Sequence, residues 1–430
     1  MPKDERRKQR PPFVAPYPSS FIVILLLALS LRLWLAPMRG HIHDVEQLKA
    51  WTQAATSQNP LAVYSASSAN YPPLALLPLA GMGALYRTFF SPYFADSDTL
   101  TALLKLPAIA ADLLTAVLIY CLTRQHGKRT ALLCAAAYAF NPAVWYVSAW
   151  WGQLEALYTL PMLLAVAALA DGRPGRSGAW LAAGVLVKPQ AVVIAPALLV
   201  GSWKMGHWRA LARGGLAAGL VITVVLAPFA WAGQLPALGA QLRASAGRQL
   251  FLTMNAHNLW YLLTLGRGSF AAREMNPIYD TQPLLGPLTG WQIGLVLLVG
   301  WCVLVCWSLW QASNLQSPAQ RASNLHFSAA ALVLGFFMLP AESHERYLFP
   351  ALALLAPLLP CHRPARWLYF ALSLTLILNL LWVDPAVPLP AFAEQLPWGV
   401  PVALANTAAL VFTACVTVLR SYNGQTIPAG

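Results

Sequence analysis

Charge is what this chain has least of. Asp, Glu, Lys and Arg make up 10% of its 430 residues, against 58% hydrophobic residues. So few ionisable groups cannot clothe a folded chain of this length in a solvated surface. One soluble globule is therefore excluded, and a surface that faces lipid is required. Acids are scarcer still, 15 against 28 Lys and Arg. The resulting charge of +13 is not gathered into one soluble basic patch, which argues against a nucleic-acid partner; attraction of short basic connections to anionic headgroups explains it better. The six cysteines, Cys121, Cys134, Cys302, Cys306, Cys361 and Cys415, fall in apolar runs or at their expected cytoplasmic ends. That placement excludes an extracellular disulfide framework, and Cys302 and Cys306 lack the His or acidic partners a metal site needs. There is no internal repeat of the kind that marks many secondary transporters.

What the chain does have is apolar runs of roughly 17 to 25 residues, the length that crosses a hydrocarbon core as α-helix. Strand-like alternation is missing from them, and an open sheet cannot satisfy its backbone in lipid, so helical spans follow. The first run, Ser20 to Met38, is preceded by Lys3, Arg6, Arg7, Lys8 and Arg10. It is too long for a signal peptide and no small-residue cleavage site follows, so it reads as a retained first helix. Further spans are expected at Leu103–Thr123, Thr130–Val147, Leu154–Ala170, a broken pair around Lys188, Gly214–Trp231, Leu285–Trp310, Phe327–Pro340, Tyr347–Pro360, Trp367–Val383 and Gly399–Leu419.

Orientation follows from Lys and Arg in the short connections. Arg124, Lys128 and Arg129, then Arg173 and Arg176, then Lys204, Arg209 and Arg213, then Arg363 and Arg366 mark one face as cytoplasmic. Ser148–Glu155, Lys188–Gln190, Ala232–Gln282, Glu342–Arg346 and Asp384–Glu394 then fall on the other face. Counting Pro72–Phe90 as a span would put the Arg124–Arg129 cluster outside, so that segment is expected to be interfacial or re-entrant within the first external loop. The expected fold is all-α: a polytopic membrane protein of about twelve spans plus interfacial helices. A basic tail of residues 1–19 precedes one integral domain of residues 20–430, with large external loops near 39–102 and 232–284.

Function then rests on polar groups at the external face. The first external loop opens with His41, His43, Asp44 and Glu46, followed by Trp51 and by Tyr71-Pro72-Pro73-Leu74. An acid just past a span is on average a solvated loop residue, but the paired prolines stiffen the chain beside this one. The second turn carries Asn141-Pro142, then Ser148, Trp150, Trp151, Gly152, Gln153 and Glu155. Its tryptophans fit a membrane-interface belt, whereas Gln153 and Glu155, at the start of an apolar run, need partners. Lys188-Pro189-Gln190 breaks an apolar stretch, as backbone lining a cavity does; the simpler reading is a lysine snorkelling to headgroups. His257 and Asn258 precede Trp260, and His344-Glu345-Arg346-Tyr347 fills a turn between two spans. Arg346 suits bidentate phosphate recognition, and His344 can donate to the same group. A carboxylate on one wall and Lys, His and Arg on the others is the charge layout for moving a group off a phosphate leaving group.

Asp44, Tyr71-Pro72-Pro73-Leu74, Asn141-Pro142, Trp151-Gly152-Gln153, Lys188-Pro189-Gln190, His257-Asn258-Leu259-Trp260 and His344-Glu345-Arg346-Tyr347, in this order, resemble the GT-C glycosyltransferases. Within them the series looks most like bacterial relatives of the GPI second mannosyltransferase and of the dolichyl-phosphate-glucose-dependent glucosyltransferases. The resemblance implies inverting transfer of a hexose, mannose favoured over glucose, from a polyprenyl-phosphate donor to a glycan, glycolipid or other acceptor. The site would face outward from the cytoplasmic membrane, with membrane lipids around it. By position, Asp44 would be the base; Lys188, His344 and Arg346 would hold the donor phosphate; and Glu46, Tyr71, Gln153, Glu155, Gln190, His257, Asn258 and Glu345 would line the substrate site. Some members bind a metal through acids on the second external turn. Here only Glu155 follows Gly152, and the first loop reads Asp44-Val45-Glu46 with no D-x-D, so no cofactor is expected and a divalent metal is disfavoured.

Two other classes fit an apolar, polytopic chain. A flippase or secondary transporter would use Asp112, inside its span, as a proton relay; otherwise Asp112 pairs with Lys105 or caps the cavity floor. A non-catalytic assembly factor would tolerate loss of Asp44.

Overall fold

The computed structural model describes residues 17–56, 60–245, 249–272, 276–312, 317–385 and 399–423. The basic stretch Lys3–Arg10 and Glu394 lie outside them. The chain is helical almost throughout, as its apolar runs require. Among the described residues, five helices are long and apolar enough to cross a membrane: Asp98–His126, Pro189–Trp231, Gly290–Gln311, Arg363–Val383 and Gly399–Leu419. A sixth span forms if Lys128–Ala139 and Pro142–Trp151, bent by 45°, are taken together. Shorter apolar helices occupy Ser19–Leu35, Glu155–Ala170 and Phe349–Leu358.

The longest of these rods is two. Helix Ala195–Trp231 is interrupted by Gly206 (φ −162°) and by His207 at φ 47°, ψ −141°. It therefore turns back at the basic Lys204–Arg213 connection, where a loop between two spans was expected. The second half shows an exposed apolar stripe, as a lipid-facing helix would: Leu216, Leu220 and Val224, each one turn apart, are 76%, 66% and 62% exposed. At the same end, the expected cytoplasmic cations cap helix C-termini. Lys204 Nζ donates to the carbonyls of Trp310 (2.6 Å) and Ala312 (2.6 Å), and Arg366 Nε to that of Leu359 (2.6 Å).

Two helices outside the candidate spans make up much of the first loop. Ile42–Ala55 packs on Pro73–Phe89, and both contact Asp98–Thr123. Pro73 begins its helix at the position where a missing N–H costs nothing. Two tiny sheets are the only strands among the described residues. One pairs Thr253–Met254 in parallel with Ser343–His344, tying the second large loop to the turn that carries Arg346; the other is a hairpin of Pro283–Leu285 with Leu288–Thr289.

Candidate active site

The local geometry starts with an irregular helix. After Asn141, whose side chain accepts from Ala143 N, the chain enters a helix that widens into a π-turn over Tyr146–Trp151. Single π-turns re-aim side chains and recur at functional sites. Here the widening carries Trp151 inward until it is 1% exposed. The belt-anchor expectation is thus corrected for both tryptophans. Trp151 Nε1 donates to Asp44 Oδ2 at 2.6 Å, and Trp150 Nε1 donates to Asp384 Oδ2 at 2.9 Å.

Gly152 (φ +91°) ends the π-turn and Gly40 (φ +66°) brings the first loop against it. A Cβ on Gly40 would lie 2.4 Å from Trp150 O, so only glycine permits that approach. Lys105, 1% exposed, fastens the junction by donating to Met38 O (2.7 Å) and Trp150 O (2.8 Å). His41 N–H then donates to Trp151 O, and the His41 ring stacks on Trp151 at 4.4 Å and 4°. Asp44, in the first turn of helix Ile42–Ala55, is held where four segments meet.

Arg346 is the hub of that meeting. Its Nη1 lies 3.7 Å from Asp44 Oδ2 and hydrogen-bonds Glu345 Oε1, and its Nε is 3.2 Å from Glu155 Oε1. Lys188 Nζ donates to the same Glu155 oxygen at 2.5 Å and stands over the rings of Tyr71, Tyr158 and Tyr347 at 5.1, 5.7 and 5.6 Å. The snorkelling reading of Lys188 is corrected: it is 2% exposed and held by a carboxylate and an aromatic cage. Tyr71 OH donates to Gln153 Oε1 at 3.4 Å, and Gln190 Nε2 to Tyr347 OH at 3.1 Å.

Three carboxylates thus face two cations. Burial pushes the Asp44 carboxyl up, but Arg346, His41 and the Trp151 hydrogen bond outweigh it and hold the group well below the usual carboxylate range. Burial raises Glu345, against the pull of Arg346. Burial, with Arg346 and Lys188 beside it, lowers His344 far below the usual imidazole value, leaving it a neutral donor. Several buried polar atoms here lack a hydrogen-bond partner: Glu155 Oε2, Gln190 Oε1, Arg346 Nε and His41 Nδ1. Buried groups are normally satisfied, so a concentration of orphans marks a place built to receive something polar. Among the described residues no group of three or more His, Cys, Asp and Glu side chains is arranged to hold a metal ion.

Asp44, Tyr71, Gln153, Glu155, Lys188, Gln190, His344, Glu345 and Arg346 are therefore joined through direct contacts. Glu46 is not. Two positions along the helix from Asp44, its side chain is 55% exposed and pairs with Lys49 at 3.0 Å. His257 and Asn258 also stand apart and do structural work. The His257 backbone N–H donates to Asn379 Oδ1 and its carbonyl accepts from Asn406, while its buried ring packs on Tyr261 and Trp382. Asn258 caps the short helix Leu259–Leu263. Asp112 pairs with Arg32 at 3.4 Å, not with Lys105. His41, Trp151, Tyr158 and Tyr347 complete the site without having been assigned to it from sequence. The spacing of His41 to Asp44 and of Glu155 to Tyr158, one helical turn each, was the available signal.

No protein-family model matches the chain, and no curated protein matches it by sequence. Among solved structures it is similar to ArnT from Cupriavidus metallidurans bound to undecaprenyl phosphate, with a TM-score of 0.50 over 94% of this chain and 72% of that one. At 17% identity the likeness is one of fold. This chain shares the helical fold of that protein.

Proposed function

We propose that this protein is an inverting glycosyltransferase of GT-C type that moves a hexose from a polyprenyl-phosphate donor to an acceptor at the extracytoplasmic face of the membrane. The observation that carries the reading is the convergence of Asp44, Glu155, Lys188, Glu345 and Arg346, from four separate segments, on one buried cluster. The undecaprenyl phosphate bound by the structural neighbour supports the donor class, and mannose is favoured by analogy with the family that the ordered motifs resemble. In the reaction, Asp44 accepts the acceptor hydroxyl proton as that oxygen bonds to the anomeric carbon. The bond to phosphate breaks, and its electrons leave with the polyprenyl phosphate.

Fixed cations in a low-dielectric cleft can stabilise that leaving charge without an acid or a metal. Lys188 and Arg346 already neutralise carboxylates, so the phosphate shares them with Glu155 and Glu345 and draws Arg346 away from Asp44. Neutral His344 adds one N–H. Losing its guanidinium partner restores basicity to Asp44 when the donor is in place. The tyrosines around Lys188 form a dry wall that strengthens these contacts.

The test is release of undecaprenyl phosphate from undecaprenyl-phosphate mannose or undecaprenyl-phosphate glucose by the purified protein in detergent, with a series of alkyl hexosides as acceptors. Transfer is expected from one of them, and Asp44→Asn should reduce it by about 10² to 10⁴ fold while the protein stays monodisperse. Full turnover in Asp44→Asn would remove Asp44 as base.

A further inference from the structure

The reaction just described leaves a proton on Asp44 at every turnover, and that carboxyl is only 16% exposed. Its side-chain surroundings offer few ways out. Arg346 and Trp151 are donors only, and neither can take a proton. Lys105 beneath Gly40 is occupied by two backbone carbonyls, and Glu345 lies behind the guanidinium. His344 also feels the Asp44 charge, but burial with Arg346 and Lys188 beside it keeps it from taking a proton. Among the described residues the neighbour left is His41, whose Nδ1 is 3.3 Å from Asp44 Oδ2 yet is not aligned as a hydrogen bond. The His43 ring stands 5.9 Å from that of His41, edge to face, and His43 is exposed.

We propose that His41 is a positioning and proton-relay residue that acts through Asp44, carrying the acceptor's proton from the buried carboxyl to solvent beside His43. The proposal rests on the glycosyl-transfer reading of the same site. The geometry is unusual for a residue that merely begins a helix. His41 occupies the N-cap position, but its side chain caps nothing. Instead the ring is clamped flat on Trp151, and its backbone N–H is fixed to Trp151 O. One ring edge is thereby aimed at the carboxylate by the same tryptophan that hydrogen-bonds it. A small ring rotation converts the 3.3 Å approach into a hydrogen bond.

The acceptor O–H bond breaks and its proton joins Asp44. That new O–H bond then breaks and the proton forms N–H at His41 Nδ1, giving an imidazolium beside a regenerated carboxylate. The imidazolium releases its other proton, from Nε2, to water on the outer side, and the neutral ring exchanges tautomers through the same water. One proton enters and one leaves. The charged and titratable groups facing the ring are Asp44 and His43 on its own segment, Lys105 under Gly40 and, across Asp44, Arg346.

Full-length protein in detergent is assayed for undecaprenyl phosphate release as above, comparing wild type, Asp44→Asn, His41→Phe, His43→Gln and, as control, Glu46→Gln. His41→Phe keeps a flat ring on Trp151 but has no nitrogen. It should lower kcat by roughly 10 to 100 fold with an unchanged KM for the donor. In a further variant, His41→Ala, which vacates the space on Trp151, added imidazole should restore much of the loss. Glu46→Gln should match wild type, and His43→Gln should fall by less than His41→Phe. A wild-type kcat in His41→Phe, or a loss in His41→Ala that imidazole does not rescue, would overturn the relay while leaving the Asp44 base intact. Wild-type turnover in Asp44→Asn would sink the base itself. Nitrogen-15 histidine spectra need no substrate: the His41 ring resonances should move when Asp44→Asn is introduced, because Nδ1 lies 3.3 Å from Asp44 Oδ2. Ring resonances identical in both proteins overturn the relay whatever sugar the enzyme uses.

Discussion

Two buried arginine–aspartate contacts can be set side by side in this protein. Arg32 and Asp112 are both fully buried, 3.4 Å apart, within the helical bundle. Asp112 also accepts from Ser148 Oγ (2.5 Å) and Tyr138 OH (3.3 Å), and Arg32 donates to the carbonyls of Ala28 (3.2 Å) and Ala139 (2.8 Å). Charge and hydrogen-bonding capacity are closed within one knot. Arg346 and Asp44 are looser, at 3.7 Å, with side chains 10% and 16% exposed. Orphaned polar atoms surround them, and the guanidinium is shared among three carboxylates. A closed knot holds helices together; an open one is ready to exchange partners. Asp112 is thereby placed in a closed set of Arg32, Ser148 and Tyr138, away from the cluster around Asp44.

The sharpest way to break the comparison is to make the same change at both acids. Asp44→Asn should cost about 10² to 10⁴ fold in turnover, with a smaller loss in thermal unfolding than the same change at Asp112. Asp112→Asn should do the reverse, with turnover per folded molecule near wild type and a lowered midpoint in thermal unfolding. Equal behaviour of the two variants would end the distinction.

Removing one partner of the closed knot should be costly. Arg32→Leu leaves Asp112 buried with no cation, which destabilises by about 3 to 5 kcal/mol. The double variant Arg32→Leu with Asp112→Leu should recover most of that in the same denaturation assay, because no charge is stranded. A double variant as unstable as the single one would mean that the pair matters for packing, not for charge.

At the open knot, Arg346→Lys turns a planar fork into a point charge that cannot reach three carboxylates and a phosphate together. Loss of one to two charged hydrogen bonds predicts roughly a 10 to 100 fold fall in kcat/KM for the donor. An unchanged kcat/KM would remove Arg346 from the phosphate site.

The smallest effect concerns pH. The depressed Asp44 carboxyl contributes stability that is present above the ordinary aspartate value of about 3.9. It is lost as pH falls from there through the lower folded value. Arg346→Gln removes the main opposing charge, so the acid limb of kcat/KM should move to higher pH, read by donor turnover across a pH series. A limb that stays in place would mean that His41 and Trp151 alone hold the carboxylate.

The fold was legible because lipid imposes a simple rule. Apolar runs such as Ser19–Leu35 and Gly399–Leu419 must be helical, and basic connections such as Lys204–Arg213 mark their turns. The break at Gly206–His207 falls where that rule put it. Asp44, Glu155, Lys188 and Arg346 could be picked out one by one as polar groups at an apolar boundary. Glu46 and His257 passed the same filter and do not join the cluster. Polarity beside a span says that a group needs a partner, not which partner it finds.

The sequence by itself determined a lipid-embedded helical bundle whose chemistry sits in its polar exceptions, since composition and run length fix the solvent each segment accepts. Tertiary structure alone decided that Trp151 turns inward on a π-turn to meet Asp44, that Arg32 rather than Lys105 answers Asp112, and that Arg346 is shared among carboxylates from three other positions. Those pairings depend on helix rotation and depth. A one-residue widening of a helix turns a side chain by about 100°, and no local pattern in the sequence records which helices that rotation will bring face to face.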